Sequence, residues 1–208
     1  MLSKVLTSAV LGIEAYLVEV EVDIGPGLPS FSTVGLPDAS IRESRERVKA
    51  AIINTGFAFP VRRITVNLAP ANMKKEGSAF DLPIAVAILR ATGLVAEERL
   101  PRYLILGELS LDGRIKPVRG ALPVAMAARQ AGLEGVILPE ENALEGAVVR
   151  DLAVYPATTL PQVVEFLNGK ATMQPVQIDE RDIWKQRSSL LDFAEIKGQQ
   201  HAKRALEV

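Results

Sequence analysis

The sequence predicts an α+β domain in which helices pack on a mixed β-sheet. Residues 13–24 alternate between apolar and acidic side chains, with Val18 and Val20 on one face and Glu19 and Glu21 on the other. This period of two is typical of a half-buried antiparallel strand. Strands come first along the chain and then alternate with helices, an order that favours a mixed sheet covered by helices.

The first part of the chain predicts three strands and a helix. Residues 3–11 and 13–24 are two strands that turn at a glycine, and residues 30–36 are a third. We expect these three strands to form a meander. Asp38 or Ser40 then caps the first helix, because either side chain can accept a hydrogen bond from an N–H group of the first turn.

The remaining elements follow from turn residues and apolar runs. Residues 81–92 are apolar nearly all round and predict a central buried helix. The dipeptide Asp112-Gly113 indicates a hairpin. The other predicted elements are strands over residues 63–68, 103–110, 135–138 and 152–155, and helices over residues 120–131, 142–146 and 160–168.

Composition excludes several kinds of site. The formal net charge is −1, so no overall field attracts nucleic acid, although a local basic surface can still do so. There is no cysteine and only one histidine, His201, which argues against disulfides, a thiol nucleophile, a histidine metal centre and a Ser-His-Asp triad. No apolar run reaches the ~18 residues of a membrane span. We therefore expect a cytoplasmic protein without a membrane partner.

A change of composition divides the chain. Residues 1–170 are expected to form the main domain, and residues 171–191 are polar and aperiodic, as in a linker. Ile183 and Trp184 are the expected anchor of that linker. Residues 192–208 are expected to begin a further module that is cut inside a helix.

Three segments resemble the proteolytic domain of the Lon protease family. They are KEGSA at residues 75–79, GELSLDGRIKPVRG at residues 107–120 and AGLEGVILP at residues 131–139. The resemblance implies the ribosomal protein S5 domain 2-like fold. It also implies a test of catalysis, because Lon uses a serine nucleophile and a lysine that takes its proton.

The Lon alignment places unsuitable residues at both catalytic positions. Ala79 stands at the nucleophile and Leu122 at the base, so the resemblance implies a domain that does not cut peptides. A one-residue slip brings Ser78 near the nucleophile position with Lys116 as a base, which leaves these two residues as candidates for a residual Ser-Lys peptidase. The expected role of Ser78 is that of a helix cap, and the dyad is the alternative.

A second resemblance covers nearly the whole chain. VGLPD at residues 34–38, VNLAPA at residues 66–71, GSAFDL at residues 77–82 and FAEIKGQ at residues 193–199 are similar to the magnesium chelatase-related ComM/YifB family of AAA+ ATPases. The resemblance implies a larger protein that uses ATP and Mg²⁺, forms a homo-oligomeric ring and moves branched or single-stranded DNA during natural transformation and recombination. It places Ile196 and Gly198 at the edge of an adenine pocket. The chain has no G-x-x-x-x-G-K-[ST] phosphate loop, so we expect no cofactor on this part alone.

Basic residues concentrate between residues 42 and 75 and predict a DNA contact. Lysine and arginine side chains bind phosphates independently of base sequence. The alternative is a solvated helix face that Glu43 and Glu46 balance. No aromatic residues interleave with the cations along the sequence, so base stacking is not expected. The candidate DNA-binding residues are Arg42, Arg45, Lys49, Lys74 and Lys75.

Two acidic features have structural explanations. Asp81 begins the apolar helix, where the helix dipole favours a carboxylate and free N–H groups attract anions; its alternative role is to fix Lys74 or Lys75. The acidic face of residues 19–23 is expected to be a solvent face, and no metal site is predicted.

The leading hypothesis is a non-catalytic Lon-like domain that serves an AAA+ motor as a DNA-contacting or ring-forming platform. A residual ATP-dependent Ser-Lys peptidase and a purely oligomerising module are the alternatives. Ala79 and Leu122, at the two catalytic positions, argue for the non-catalytic domain and against the peptidase. A measurement of DNA binding distinguishes the DNA-contacting platform from the purely oligomerising module.

Overall fold

The computed structural model describes residues 1–178 and 196–207. The chain divides into two compact units, Met1–Gln177 and Ile178–Val208. The predicted anchor, Ile183 and Trp184, lies outside the described residues, as do residues 179–191 of the predicted linker and the first part of the FAEIKGQ segment.

The first unit is built on a seven-stranded mixed sheet with the strand order β3-β4-β2-β1-β5-β8-β9. A separate two-stranded hairpin is formed by β6 and β7. The strands are β1 (Leu2–Leu11), β2 (Glu14–Gly25), β3 (Ser30–Val34), β4 (Arg63–Ala69), β5 (Tyr103–Ile105), β6 (Glu108–Leu109), β7 (Ile115–Lys116), β8 (Gly135–Pro139) and β9 (Ala153–Ala157). The helices of this unit are α1 (Ala39–Asn54), α2 (Asp81–Ala91), α3 (Ala121–Gln130), α4 (Glu140–Ala147) and α5 (Leu160–Leu167).

The predicted class, a mixed sheet with packed helices, is confirmed. The core residues of α1, α2 and α5 belong to one apolar cluster, and those of α3 and α4 belong to a second cluster on the other face of the sheet. All residues of α2 except Arg90 are buried, as expected of a central helix. In β2, the alternation places Val18, Val20 and Val22 in the core, which is why this strand was predictable from sequence.

The predicted meander of the first three strands is wrong. β1 and β2 are antiparallel neighbours, but β3 pairs in parallel with β4, and β4 lies between β3 and β2. The reason is that α1 connects β3 to β4. A helical crossover returns the chain to the same end of the sheet and therefore makes the two strands parallel.

The strand predicted over residues 103–110 is broken at Gly107. Its N–H group donates to the carbonyl of Ala79 at 3.0 Å, and its carbonyl accepts from Leu82 N–H at 2.9 Å. The backbone of this residue therefore holds the beginning of α2 instead of continuing the sheet. A Cβ at Gly107 would lie 2.9 Å from Ile115 Cγ2, so the close approach requires glycine.

The first unit continues beyond the predicted boundary at residue 170. Met173 is buried in the core, and Val176 N–H donates to the carbonyl of Val154 at 2.8 Å. In the second unit, α6 (Gln200–Glu207) follows residues 196–199. Within the described ranges, none of the helices has the length and apolar character needed to cross a membrane.

Candidate functional site

A cleft of about 500 Å³ opens beside the loop that precedes α2. It is lined by residues 8–10 of β1, Asp38, residues 76–80, Leu106, Glu108 and residues 117–119. We call it the loop cleft. It contains the position that aligns with the Lon nucleophile.

Asp38 ties the first helix to the wall of the loop cleft. Its Oδ1 accepts from Ile41 N–H at 2.9 Å and so caps α1, while its Oδ2 accepts from Gly77 N–H at 3.1 Å. Asp38 is thus the cap, in preference to Ser40. Because Gly77 N–H is bound by Asp38 and Leu82 N–H is bound by the carbonyl of Gly107, this helix start does not present those two groups to an anion. The carboxylates of Glu76 and Glu108 further disfavour a bound phosphate in the cleft.

Ser78 is hydrogen-bonded to an acid. Its hydroxyl donates to Oε2 of Glu108, and the first turn, Ser78–Phe80, has no side-chain cap. The expected capping role of Ser78 is therefore wrong. Lys116 lies opposite Glu108 in the β6–β7 hairpin, is exposed, and makes no hydrogen bond with Ser78 in the described part of the chain. Carboxylates are much weaker bases than neutral amines, so the observed partner is poorly suited to take the proton of a serine.

Lys75 is fully buried. Its ammonium group donates to the carbonyl of Pro70, and burial lowers the pKa of Lys75. The backbone of Lys75 accepts from Asp38 N–H at 3.0 Å and donates to the carbonyl of Leu36 at 3.2 Å. A side chain held in this way cannot contact DNA phosphates, so Lys75 has to be removed from the predicted basic surface.

Asp81 is paired with an arginine that the sequence did not reveal as its partner. Arg47 donates to both carboxylate oxygens, from Nε at 2.7 Å and from Nη2 at 3.1 Å. Leu109 N–H adds a third hydrogen bond at 3.3 Å. Burial raises the pKa of Asp81 to about 6, although the hydrogen bonds and charge of Arg47 oppose the increase. Asp81 thus begins α2 as expected, but it does not fix Lys74 or Lys75.

The other predicted DNA-binding residues lie at the surface. Lys74 pairs with Glu76 at 2.5 Å, Arg42 donates to the carbonyl of Pro37 at 3.1 Å, and Arg45 lies 3.3 Å from its neighbour Glu46. Arg45 and Lys49 also line a second, smaller cleft together with Arg62, Phe31 and Phe59. The sequence indicated the concentration of cations but not the two phenylalanines beside them, because the members come from β3, from α1 and from the loop before β4.

A lysine bridges two carboxylates of the acidic face of β2. Lys4 Nζ lies 2.7 Å from Glu19 and 2.9 Å from Glu21, and Glu21 also accepts from Asn67 Nδ2 at 2.7 Å. Within residues 1–178 and 196–207, no group of three or more histidine, cysteine, aspartate or glutamate side chains has an arrangement that could hold a metal ion.

The predicted adenine-pocket residues precede α6. Ile196 and Gly198 are both exposed, and Lys203 Nζ donates to the carbonyl of Ile196 at 2.5 Å. Gly198 has a φ of +75°, which favours glycine at the entry to the helix. These residues supply no phosphate loop, so the role of ATP and Mg²⁺ stays a prediction for a longer protein.

Comparisons with known proteins agree with both resemblances. A family model described as subunit ChlI of Mg-chelatase matches residues 20–142. Competence protein ComM of Haemophilus influenzae is 41% identical over 209 residues, which cover all of this chain and 41% of that protein. The uncharacterized protein YifB of Salmonella typhimurium is 39% identical over 208 residues, covering all of this chain and 40% of that protein.

The similarity to Lon is weaker. Lon protease of Halothermothrix orenii is 27% identical over 165 residues, which cover 74% of this chain and 21% of that protein. The chain spans about two fifths of the length of its ComM and YifB relatives. Since the chelatase-related model matches more than half of the chain, the chain belongs to the magnesium chelatase-related ComM/YifB family.

Proposed function

We propose that the first unit is a non-proteolytic, Lon-like domain with the ribosomal protein S5 domain 2-like fold, within a ComM/YifB-type AAA+ ATPase. It contacts DNA while the ATPase part, using ATP and Mg²⁺ in the cytoplasm, drives branch migration in transformation and recombination. The observation that carries the non-proteolytic assignment is the hydrogen bond from the Ser78 hydroxyl to Glu108. This bond joins Ser78, the serine adjacent to the aligned nucleophile position, to an acid.

The surroundings of Ser78 support this assignment. The neighbouring Ala79 has no nucleophilic atom, and Leu122 has no basic atom. The buried amine of Lys75 is directed at the carbonyl of Pro70. A serine nucleophile needs an adjacent base within hydrogen-bond reach, and none of these side chains supplies one.

We expect no peptidase activity from the serine. The intact ATPase, supplied with ATP and casein, should release no more peptide than a no-enzyme control, and Ser78→Ala and Lys116→Ala should leave this background unchanged. A Lon protease in the same buffer is the positive control. Cleavage by the parent protein that disappears in Ser78→Ala would establish the peptidase alternative and overturn the proposal.

The DNA-contacting role rests on exposed cations in a nearly neutral chain. Arg42, Arg45, Lys49 and Lys74 are all at least partly exposed, whereas the formal net charge is only −1. A local concentration of cations binds phosphates through counterion release, so its affinity depends steeply on salt. Branched and single-stranded DNA are the proposed partners.

The double change Arg42→Glu with Lys74→Glu is expected to weaken DNA binding about tenfold or more at low salt, because two phosphate contacts become repulsive. Fluorescence anisotropy with labelled DNA measures the affinity. Arg129→Glu with Lys170→Glu is the control with the same change of charge, since both residues are exposed cations outside the proposed DNA surface. The nearest acid to Arg129, Asp151, lies 3.9 Å away. Equal affinities of the double variant and the control would remove these two residues from the DNA surface.

A ring-forming role has its own support. Ile13, at the β1–β2 turn, is 93% exposed, and it lines a cleft with Met126 of α3, which is 49% exposed. Two exposed apolar side chains that line one cleft make this surface a candidate for a contact between subunits. Light scattering of the chain, with and without Ile13→Asp, measures whether it assembles through this surface.

A further inference from the structure

A small cleft between α1, β3 and the loop before β4 has an unusual composition. Its volume is about 120 Å³. We call it the Phe59 cleft; its walls include Phe31, Arg45, Lys49, Phe59 and Arg62. Three cations line it and no carboxylate does, in contrast to the loop cleft with Asp38, Glu76 and Glu108.

The cations of the Phe59 cleft are available for a ligand. Among the described residues, Lys49 and Arg62 have no ion pair, and the partner of Arg45, Glu46, is itself 73% exposed. Arg45 and Lys49 are four residues apart on α1, so they lie one above the other on the same helix face. The cleft therefore presents a row of positive charge to solvent, which is suited to an extended polyanion.

Two phenylalanine side chains line the Phe59 cleft. Phe31 and Phe59 are half-buried; both pack against the core cluster, and both line the cleft. Part of each ring therefore remains on the cleft side. The neighbouring Val61 is 78% exposed and extends this apolar surface at the rim. A flat apolar surface beside cations is the combination that binds single-stranded nucleic acid, through base stacking and phosphate contacts.

The size of the cleft favours single-stranded over double-stranded nucleic acid. At about 120 Å³ it is far smaller than the 300–1,000 Å³ typical of drug-sized pockets. It admits one flat ring system and leaves the attached backbone outside, next to the cations. Bases inside a duplex are stacked on one another and cannot enter such a cleft without being flipped out.

We propose that the Phe59 cleft is a binding site for single-stranded DNA. One base stacks on Phe59, and Lys49, Arg62 and Arg45 contact the flanking phosphates. This inference rests on the proposed DNA-contacting function and specifies the strand form and the residues. Phe31, Lys49 and Phe59 are far apart in sequence, which is why no interleaving of aromatic and basic residues was visible there.

The test compares two forms of DNA and two kinds of variant. The full chain is titrated against labelled single-stranded oligodeoxythymidine and against a labelled duplex. Phe59→Leu keeps an apolar side chain but removes the flat ring, and Phe57→Leu is its control, because Phe57 also packs half-buried on the core but does not line the cleft. Lys49→Glu with Arg62→Glu removes the cations. Thermal melting verifies that each variant is folded.

We expect Phe59→Leu to weaken single-strand binding about fivefold or more, as stacking on one ring predicts. Duplex binding and Phe57→Leu should change less than about twofold. The charge variant should weaken single-strand binding and reduce its salt slope by about 0.7 per lost contact. Photo-cross-linking needs no substitution and so cannot be affected by a folding defect. With single-stranded DNA that contains 5-iododeoxyuridine, it should label Phe59 or Phe31 of the parent chain.

The outcomes separate the two proposals. If Phe59→Leu and the charge variant still bind DNA, and the cross-links lie elsewhere, then the Phe59 cleft is not the binding site. The proposed DNA-contacting function is not contradicted by that result. Equal loss of single-strand and duplex binding in Phe59→Leu overturns the stacking role. Absence of any DNA binding by the parent chain at low salt overturns both.

Discussion

Replacing Arg47 with methionine is expected to lower the free energy of unfolding by about 1–2 kcal/mol at neutral pH and by about 3–5 kcal/mol near pH 9. Asp81 is fully buried, and Arg47 is the cation bonded to both of its carboxylate oxygens. Methionine fills a similar volume but leaves the carboxylate without a counter-charge. Urea denaturation of the parent and variant chains measures the loss.

Two control variants identify the cause. Arg45→Met removes an exposed arginine from the same helix and should change stability by less than about 1 kcal/mol. The double variant Arg47→Met with Asp81→Asn should recover most of the loss, because asparagine still accepts from Leu109 N–H but carries no charge. A double variant as unstable as Arg47→Met alone would mean that packing, and not the unpaired charge, causes the effect.

The same substitution has a predicted pH dependence. The pKa of Asp81 is about 6 in the fold, above its ordinary value of 3.8, so the folded chain binds more protons between these values. The contribution of Asp81 to the free energy of unfolding is fully present below pH 3.8 and is lost as the pH rises through 6. Removing Arg47 raises the pKa of Asp81 further. The cost of Arg47→Met should therefore be small near pH 4 and grow above about pH 6; an equal cost at about pH 5 and pH 8 would contradict the assignment.

Gly35→Ala is expected to cost about 3 kcal/mol or more of unfolding free energy. Gly35 has a φ of +98°, and a Cβ there would lie 2.2 Å from the carbonyl oxygen of Leu68. The Cβ is fixed to the backbone of residue 35 and the atom that it meets is a backbone oxygen, so a side-chain movement cannot relieve the clash. The substitution should separate the end of β3 from β4 and lower the melting temperature.

Gly56→Ala is the matched control for Gly35→Ala. Gly56 has a similar φ of +86°, but a Cβ there would meet no atom within 4 Å, so only the backbone strain of about 1–2 kcal/mol applies. A similar cost for both substitutions would show that the clash with Leu68 is relieved in the variant.

The strands and helices were predictable where the pattern is local. The alternation of Val18, Val20 and Val22 reflects burial of one face of β2, and the apolar surface of α2 reflects burial on all sides. The order of strands was not predictable in this way. The pairing of β3 with β4 depends on the path of α1 between them, and the break at Gly107 depends on hydrogen bonds to residues 79 and 82.

The sequence predicted where the site residues lie, but not the side chains to which they are hydrogen-bonded. The sequence placed Ser78 and Asp81 at the start of α2, where they are found. It did not indicate Glu108 as the acceptor for Ser78, nor Arg47 as the partner of Asp81, because those residues are 30 and 34 positions away. The charge of Lys75 predicts a surface position, but its side chain is buried, with the ammonium group bonded to the carbonyl of Pro70.

The most direct test of a DNA-contacting domain is the salt dependence of single-stranded DNA binding by the unsubstituted chain. Three phosphate contacts from Arg45, Lys49 and Arg62 predict that the logarithm of the association constant falls linearly with the logarithm of salt concentration, with a slope of about −2 or steeper. The duplex should bind more weakly at every salt concentration. A slope near zero, or no binding at low salt, would contradict the proposal.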